Sequence, residues 1–172
     1  MSRLSKKMLI AFVLATLAGA CLHFVYTFFP NPVTAVFSPI CESLWEQLKI
    51  LFWPHLAAAL ILTRGGEKGS KAPWLLSLLI LCAAMLGIGW LYHILLGGES
   101  VSFDLCLYVL LMGLGFLLPG LFSRVKVLEK SDWLFLLTVA LGAALVLFTF
   151  LPPGLVLFQD LSGAHTWVRL PC

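Results

Sequence analysis

The stretch Ser38-Pro-Ile-Cys-Glu-Ser-Leu-Trp-Glu-Gln-Leu-Lys-Ile-Leu-Phe-Trp-Pro-His55 gathers two carboxylates, an ammonium, two tryptophans and two prolines into one segment of an otherwise apolar chain. Ser38 followed by Pro39 predicts a helix start: the hydroxyl accepts from a first-turn amide, and proline fits the first helical position. Glu42 then stands near the positive end of the helix dipole. Glu42, Glu46, Lys49 and Trp53 recur at spacings of four, three and four, which puts them on one helix face. The run that follows, Ile50 to Leu62, covers only about 20 Å of helix, whereas a bilayer core is about 30 Å thick. A span ending at Leu62 therefore has to take in Lys49 and Glu46. Charges at that depth face the bundle interior and find partners. Two readings of the stripe stand side by side: a Glu46–Lys49 salt bridge with Lys49 reaching outward, or a functional polar pocket. Pro54 removes the amide that would bond the Ile50 carbonyl and so predicts a kink.

Working outward, hydrophobic residues make up 61% of the 172 and charged residues 11%. That balance predicts a single all-α membrane domain, a five-helix transmembrane bundle with a short extracytoplasmic C-terminal flap. The spans fall at about residues 8–29, 43–62, 74–96, 103–122 and 133–151, with an outer tail over 152–172. Pro30-Asn-Pro32, the Arg64 to Pro73 stretch, Gly97-Gly98, the Arg124 to Lys130 run and Pro152-Pro153-Gly154 separate them. The first apolar run is too long for a signal-peptide core, so it reads as a helix.

Nine of the eleven Lys and Arg lie before span one, between spans two and three, or between spans four and five, leaving Lys49 and Arg169 on the other side. The positive-inside rule then predicts a multi-pass cell-membrane protein with a cytoplasmic N-terminus and an extracytoplasmic C-terminus. The net charge of +3 is accordingly topological. It points to the lipid bilayer as partner, with anionic headgroups against the basic loops, and to no nucleic acid.

With that topology the polar residues collect near the outer side: His23, Glu42, Glu46, Lys49, His93, Glu99, Asp104, Asp160 and His165. His23 lies about 22 Å up the first helix from Met8, close to the depth of Lys49. His23, Glu46 and Asp104 are expected to converge on an outward pocket roofed by the tail. Each also has a plain reading: the histidines as interfacial anchors, Asp104 as a helix cap, His55 as a partner for a carbonyl freed by Pro54. Ala83, Gly87, Gly113, Gly115 and Gly142 suggest close helix contacts. The tail reads as extended, turn, extended, hence a hairpin or flap that carries Asp160 and His165 toward the polar cluster. Cys41 and Cys172 share the outer side, where a bridge would form in an oxidising compartment.

No C-x-x-C, Walker, dinucleotide or zincin motif occurs, so the sequence identifies no cofactor and marks no metal centre. Pro39-Ile-Cys-Glu-Ser-Leu-Trp-Glu-Gln-Leu-Lys49 with Phe52-x-Pro54, and later Thr149-Phe-Leu-Pro-Pro153 with Phe158-x-Asp160 and Gly163, resembles a family of small uncharacterised bacterial multi-pass membrane proteins. Its signature reads Pro-Val-Asn-Glu-Ser-x-Trp-Glu-His-x-Lys; Cys41 replaces the Asn here and Gln47 the His. The resemblance implies the topology and the choice of residues, in an inner membrane, and supplies no chemistry. Three functions compete. The first is an outward polar site for a small molecule, ion or lipid headgroup. The second is a membrane-embedded enzyme on a lipid or envelope substrate, with Glu46 as base or metal ligand beside His23 or His93. The third is a structural or accessory subunit. A transporter would need a polar path to the inner side, where only His55 and Thr63 offer one.

Overall fold

The computed structural model describes residues 3–66, 70–123 and 132–161. The long helices are α1 (Arg3–Phe28), α3 (Leu44–Leu62), α4 (Ala72–Gly89), α5 (Val101–Phe122) and α6 (Asp132–Phe150). A six-residue α2 (Pro32–Phe37) lies between α1 and α3, α4 runs on into a π-helical turn (Trp90–Leu95), and a 3-10 turn (Val156–Phe158) follows α6. The described residues form no strand.

Residues 6–28, 72–95, 101–122 and 132–150 are long and apolar enough to cross a membrane. Large apolar side chains stand exposed along them, among them Leu9, Ile10 and Leu14 on α1 and Phe135, Leu136 and Val139 on α6. Helix α3 is the opposite case. It carries Glu46, Gln47, Lys49 and His55, yet eleven of its nineteen residues are buried, and it touches α1, α4, α5 and α6. The helix with charged residues within its length and not only at its end is the hub, because lipid solvates Leu and Phe but not charge.

Contacts fix the alternation of direction. Trp45 at the start of α3 packs on Phe148 near the end of α6, and Leu44 lies against Gly89 near the end of α4. At the other end His55 meets Trp74 and Phe116. One end of the bundle is thus formed by residues 29–43, 96–100 and 151–161; the basic residues Arg64 and Lys71 mark the opposite one.

Close approach in the middle depends on Gly19. Any side chain there would overlap the Tyr108 hydroxyl and the Ile50 carbonyl, the same carbonyl that Pro54 leaves without its helical amide. Tyr108 Oη donates to Thr16 O at 2.8 Å, so α1, α3 and α5 meet at this level. Among the small residues marked in the sequence, Gly115 packs on Leu81 and His55 and Gly142 on Phe52, whereas Gly87 and Gly113 face open space.

The connection between α1 and α3 departs from the expected plain loop. Pro30-Asn-Pro32 does not merely break the chain: Asn31 accepts from the amides of Val33 and Thr34 and starts α2, with Pro32 in its first turn. Ser38, whose hydroxyl and Pro39 suggested a helix start, has extended backbone instead, as a residue before proline favours. The cap of α3 is Ser43, whose Oγ accepts from Glu46 N at 3.2 Å. Glu42 consequently falls outside the helix, and the polar stripe shortens to Glu46, Lys49 and Trp53.

Beyond α6 the chain turns back over the same end. Phe158 is buried and packs tilted against Trp45 and edge-on to Phe148, and Leu161 N donates to Glu42 O at 3.3 Å. In place of an extended arm the described part of the tail holds the 3-10 turn. The expected second arm and His165 lie outside the described residues.

Candidate functional site

Residues 31–43 descend into the bundle and return. Trp53 Nε1 donates to Val36 O at 3.1 Å, so the end of α2 lies level with a residue nine positions into α3, about 13 Å down its axis. Irregular backbone at such depth is tolerated only where protein groups satisfy it. Here they do so one by one. Lys49 Nζ donates to Ala35 O at 2.7 Å, to Ser38 O at 3.4 Å and to Glu46 Oε2 at 2.5 Å. These are three acceptors for the three protons of an ammonium. Two of them are backbone carbonyls at the end of α2, where a cation also opposes the negative end of the helix dipole.

Glu46 completes the set. Oε2 accepts from Ile40 N at 3.0 Å as well as from Lys49, and Oε1 lies 3.0 Å from Thr149 Oγ1, whose single proton it shares with Leu145 O at 2.7 Å. The loop is thereby tied to α3, and α3 to the last turn of α6. Ser38, fully buried, does the same toward α1: its hydroxyl donates to Leu22 O and accepts from Tyr26 N at 3.0 Å. The bridge between Glu46 and Lys49 is therefore a buried, fully partnered ion pair, with 3% and 0% of its side chains exposed. It does not reach outward as an interfacial anchor would.

The remaining polar residues of this end are more open. His23 Nε2 stands 3.4 Å from Glu42 Oε1, and Gln47 Nε2 donates to Glu42 Oε2. His93 Nε2 is 2.7 Å from Asp104 Oδ1, and its Nδ1 is 2.8 Å from Gly98 O. The contacts thus join the sequence-marked residues as three pairs: His23 with Glu42, Glu46 with Lys49, His93 with Asp104. His23 meets Glu42 and not Glu46, because Glu42 sits in the loop beside α1 and not on the stripe of α3. Asp104 lies in the first turn of α5, but the helix has no side-chain cap; its carboxylate faces His93 instead. Asp160 is exposed beside the loop. Among the described residues no group of three His, Cys, Asp or Glu is placed to hold a metal ion.

Cys41 is disulfide-bonded; Cys21, Cys82 and Cys106 are free thiols, and Cys172 lies outside the described residues. His55 finds no freed carbonyl. It is fully buried between Trp74 and Phe116, with the Trp74 backbone within reach but no well-formed hydrogen bond to either ring nitrogen among the described residues.

Several groups that hold the loop escape a reading of the sequence. Ser38 looked like a cap, Trp53 stood on the stripe with no partner assigned, and Thr149 was marked only as the first residue of the C-terminal block that resembles the family. Spacing along one helix says nothing of a partner 103 residues away.

Four apolar helices of membrane length around a polar central helix fit an integral membrane protein. The chain belongs to a family of unknown function (DUF6512), which matches residues 1–166. No curated protein and no solved structure matches it.

Proposed function

We propose that this is a multi-pass protein of a bacterial inner membrane whose re-entrant end faces outward and binds a small cationic group. That group is a free ion or amine, or the positive part of a lipid headgroup. One observation carries the reading. Glu42 and Asp104 have 46% and 47% of their side chains exposed at that end, Glu99 is exposed there too, and no exposed Lys or Arg accompanies them among the described residues. The Glu46–Lys49 pair supports the site from beneath by holding the loop that carries Glu42. As a general base Glu46 is poorly placed, since both its oxygens are engaged and it is almost wholly buried. The second reading, a structural subunit, is favoured by that same satisfied pair.

The orientation is supported by the basic residues and is tested by labelling single cysteines introduced at Ser70 and Ser100. Only the one at residue 100 should react with an impermeant reagent from outside. The ligand class is tested by thermal shifts of detergent-solubilised protein titrated with spermidine, magnesium chloride and phosphatidylethanolamine. At least one should stabilise the wild type, and E42Q/D104N should abolish the shift. No shift with any of them favours the structural subunit.

A further inference from the structure

The turn between α4 and α5 holds a second feature, which shares Asp104 with the cation site proposed above but does not depend on its ligand. The π-helical turn ends tightly: Leu96 N donates to Leu91 O at 3.0 Å and Gly98 N to Tyr92 O at 2.9 Å. Gly97 takes a positive φ of 65°, and Gly98 lies so close to the Tyr92 ring that any side chain there would overlap it. Tyr92 stacks on Phe103 with ring centroids 3.7 Å apart, and Ser100 N donates to the Tyr92 hydroxyl at 3.3 Å. Six-residue π turns are rare and are found chiefly where function keeps them. Here the turn brings His93 onto Asp104.

Proton counting makes this contact unusual. Gly98 O is only an acceptor, so Nδ1 must carry the proton of that hydrogen bond. A neutral ring would then present the bare lone pair of Nε2 to a carboxylate oxygen 2.7 Å away, which is repulsive. The observed geometry needs one further proton between Nε2 and Oδ1. Asp104 is half exposed while His93 is mostly covered, so that proton has a route to water on the carboxylate side. The neighbouring ionisable groups are already placed: the Tyr92 hydroxyl is bonded to Ser100 N, Glu99 is exposed in the connecting loop, and Glu46 and Lys49 of α3, which packs on α4, bond to each other.

We propose that His93 and Asp104 form a proton-operated latch that fastens the π turn to α5. With the shared proton bound, both ring nitrogens donate and the latch is closed. When the proton leaves to water, the Nε2 lone pair faces the carboxylate and the ring separates from α5. The Tyr92–Phe103 stack remains as a hinge.

The test uses the full chain in detergent micelles or nanodiscs. Amide exchange over residues 96–104 is followed at several pH values and corrected for intrinsic exchange. In the wild type, protection should fall about tenfold across the transition, the order expected for loss of a hydrogen bond to a charged group. D104N should hold its protection at all pH values, because the Asn amide donates to Nε2 of the neutral ring and needs no extra proton. Imidazole nitrogen resonances of the unsubstituted chain give a readout that requires no variant. His93 should carry two N–H groups at low pH and only Nδ1–H at high pH. The latch is overturned if D104N follows the wild-type pH dependence, if wild-type protection does not change with pH, or if the His93 ring keeps one form throughout.

Discussion

Lys49 and His55 lie on one helix, six residues apart, and neither has any exposed surface. Lys49 meets three oxygens; His55 has only the Trp74 backbone within reach and makes no well-formed hydrogen bond among the described residues. The difference lies in what each group stands beside. Lys49 borders a segment of chain that descends into the bundle with backbone carbonyls that no helix satisfies, and its ammonium supplies their missing donors. His55 lies among regular helices whose carbonyls are taken, against aromatic rings and the backbone of Gly115. Burial of a polar side chain near irregular backbone is thus cooperative, and burial among finished helices is a cost without a return.

The comparison breaks most directly at Lys49. K49M leaves Glu46 as a buried charge without its counter-ion, together with two orphaned carbonyls, and should destabilise the protein by about 3–5 kcal/mol in detergent unfolding. The double variant E46Q/K49M removes both charges and should be less harmful than K49M alone. Equal losses would mean that the charges do not depend on one another.

Gly19 tests whether the hub position of α3 requires the close approach of α1. G19A places a methyl group against the Ile50 carbonyl and the Tyr108 hydroxyl and should cost about 1–3 kcal/mol as overpacking. A melting temperature unchanged from wild type would show that the helices separate freely. T149V, which keeps shape but removes the hydroxyl bonded to Glu46 Oε1, should cost about 1 kcal/mol, and the loss should vanish in the E46Q/K49M background if the two act as one network.

The smallest effect, opposite in sign, belongs to His55. H55L exchanges an imidazole that has only the Trp74 backbone beside it for an apolar group of similar volume and should leave stability unchanged or raise it by up to about 1 kcal/mol. A marked loss in the same unfolding assay would show that His55 has a partner on which the fold depends.

The apolar helices agree with what composition alone had indicated, because lipid imposes long runs of Leu, Ala, Val and Phe wherever a helix faces it. The sequence by itself determined the places of the long helices, to within a few residues. It also determined the depth argument that obliges Glu46 and Lys49 to be buried and paired, and the small residues Gly115 and Gly142 at helix contacts. These follow from local composition and from the 3.6-residue period, both readable in one dimension. Tertiary structure decided what lies across from each side chain. It moved the start of α3 to Ser43, folded Pro32–Phe37 into a helix, and sent Ser38 to α1. It also separated His23, Glu46 and Asp104 into different pairs. Each of those outcomes depends on a backbone group that lost its neighbour in the chain and found a side chain elsewhere. Such a need arises only once the chain has folded back on itself, so no spacing along the sequence records it.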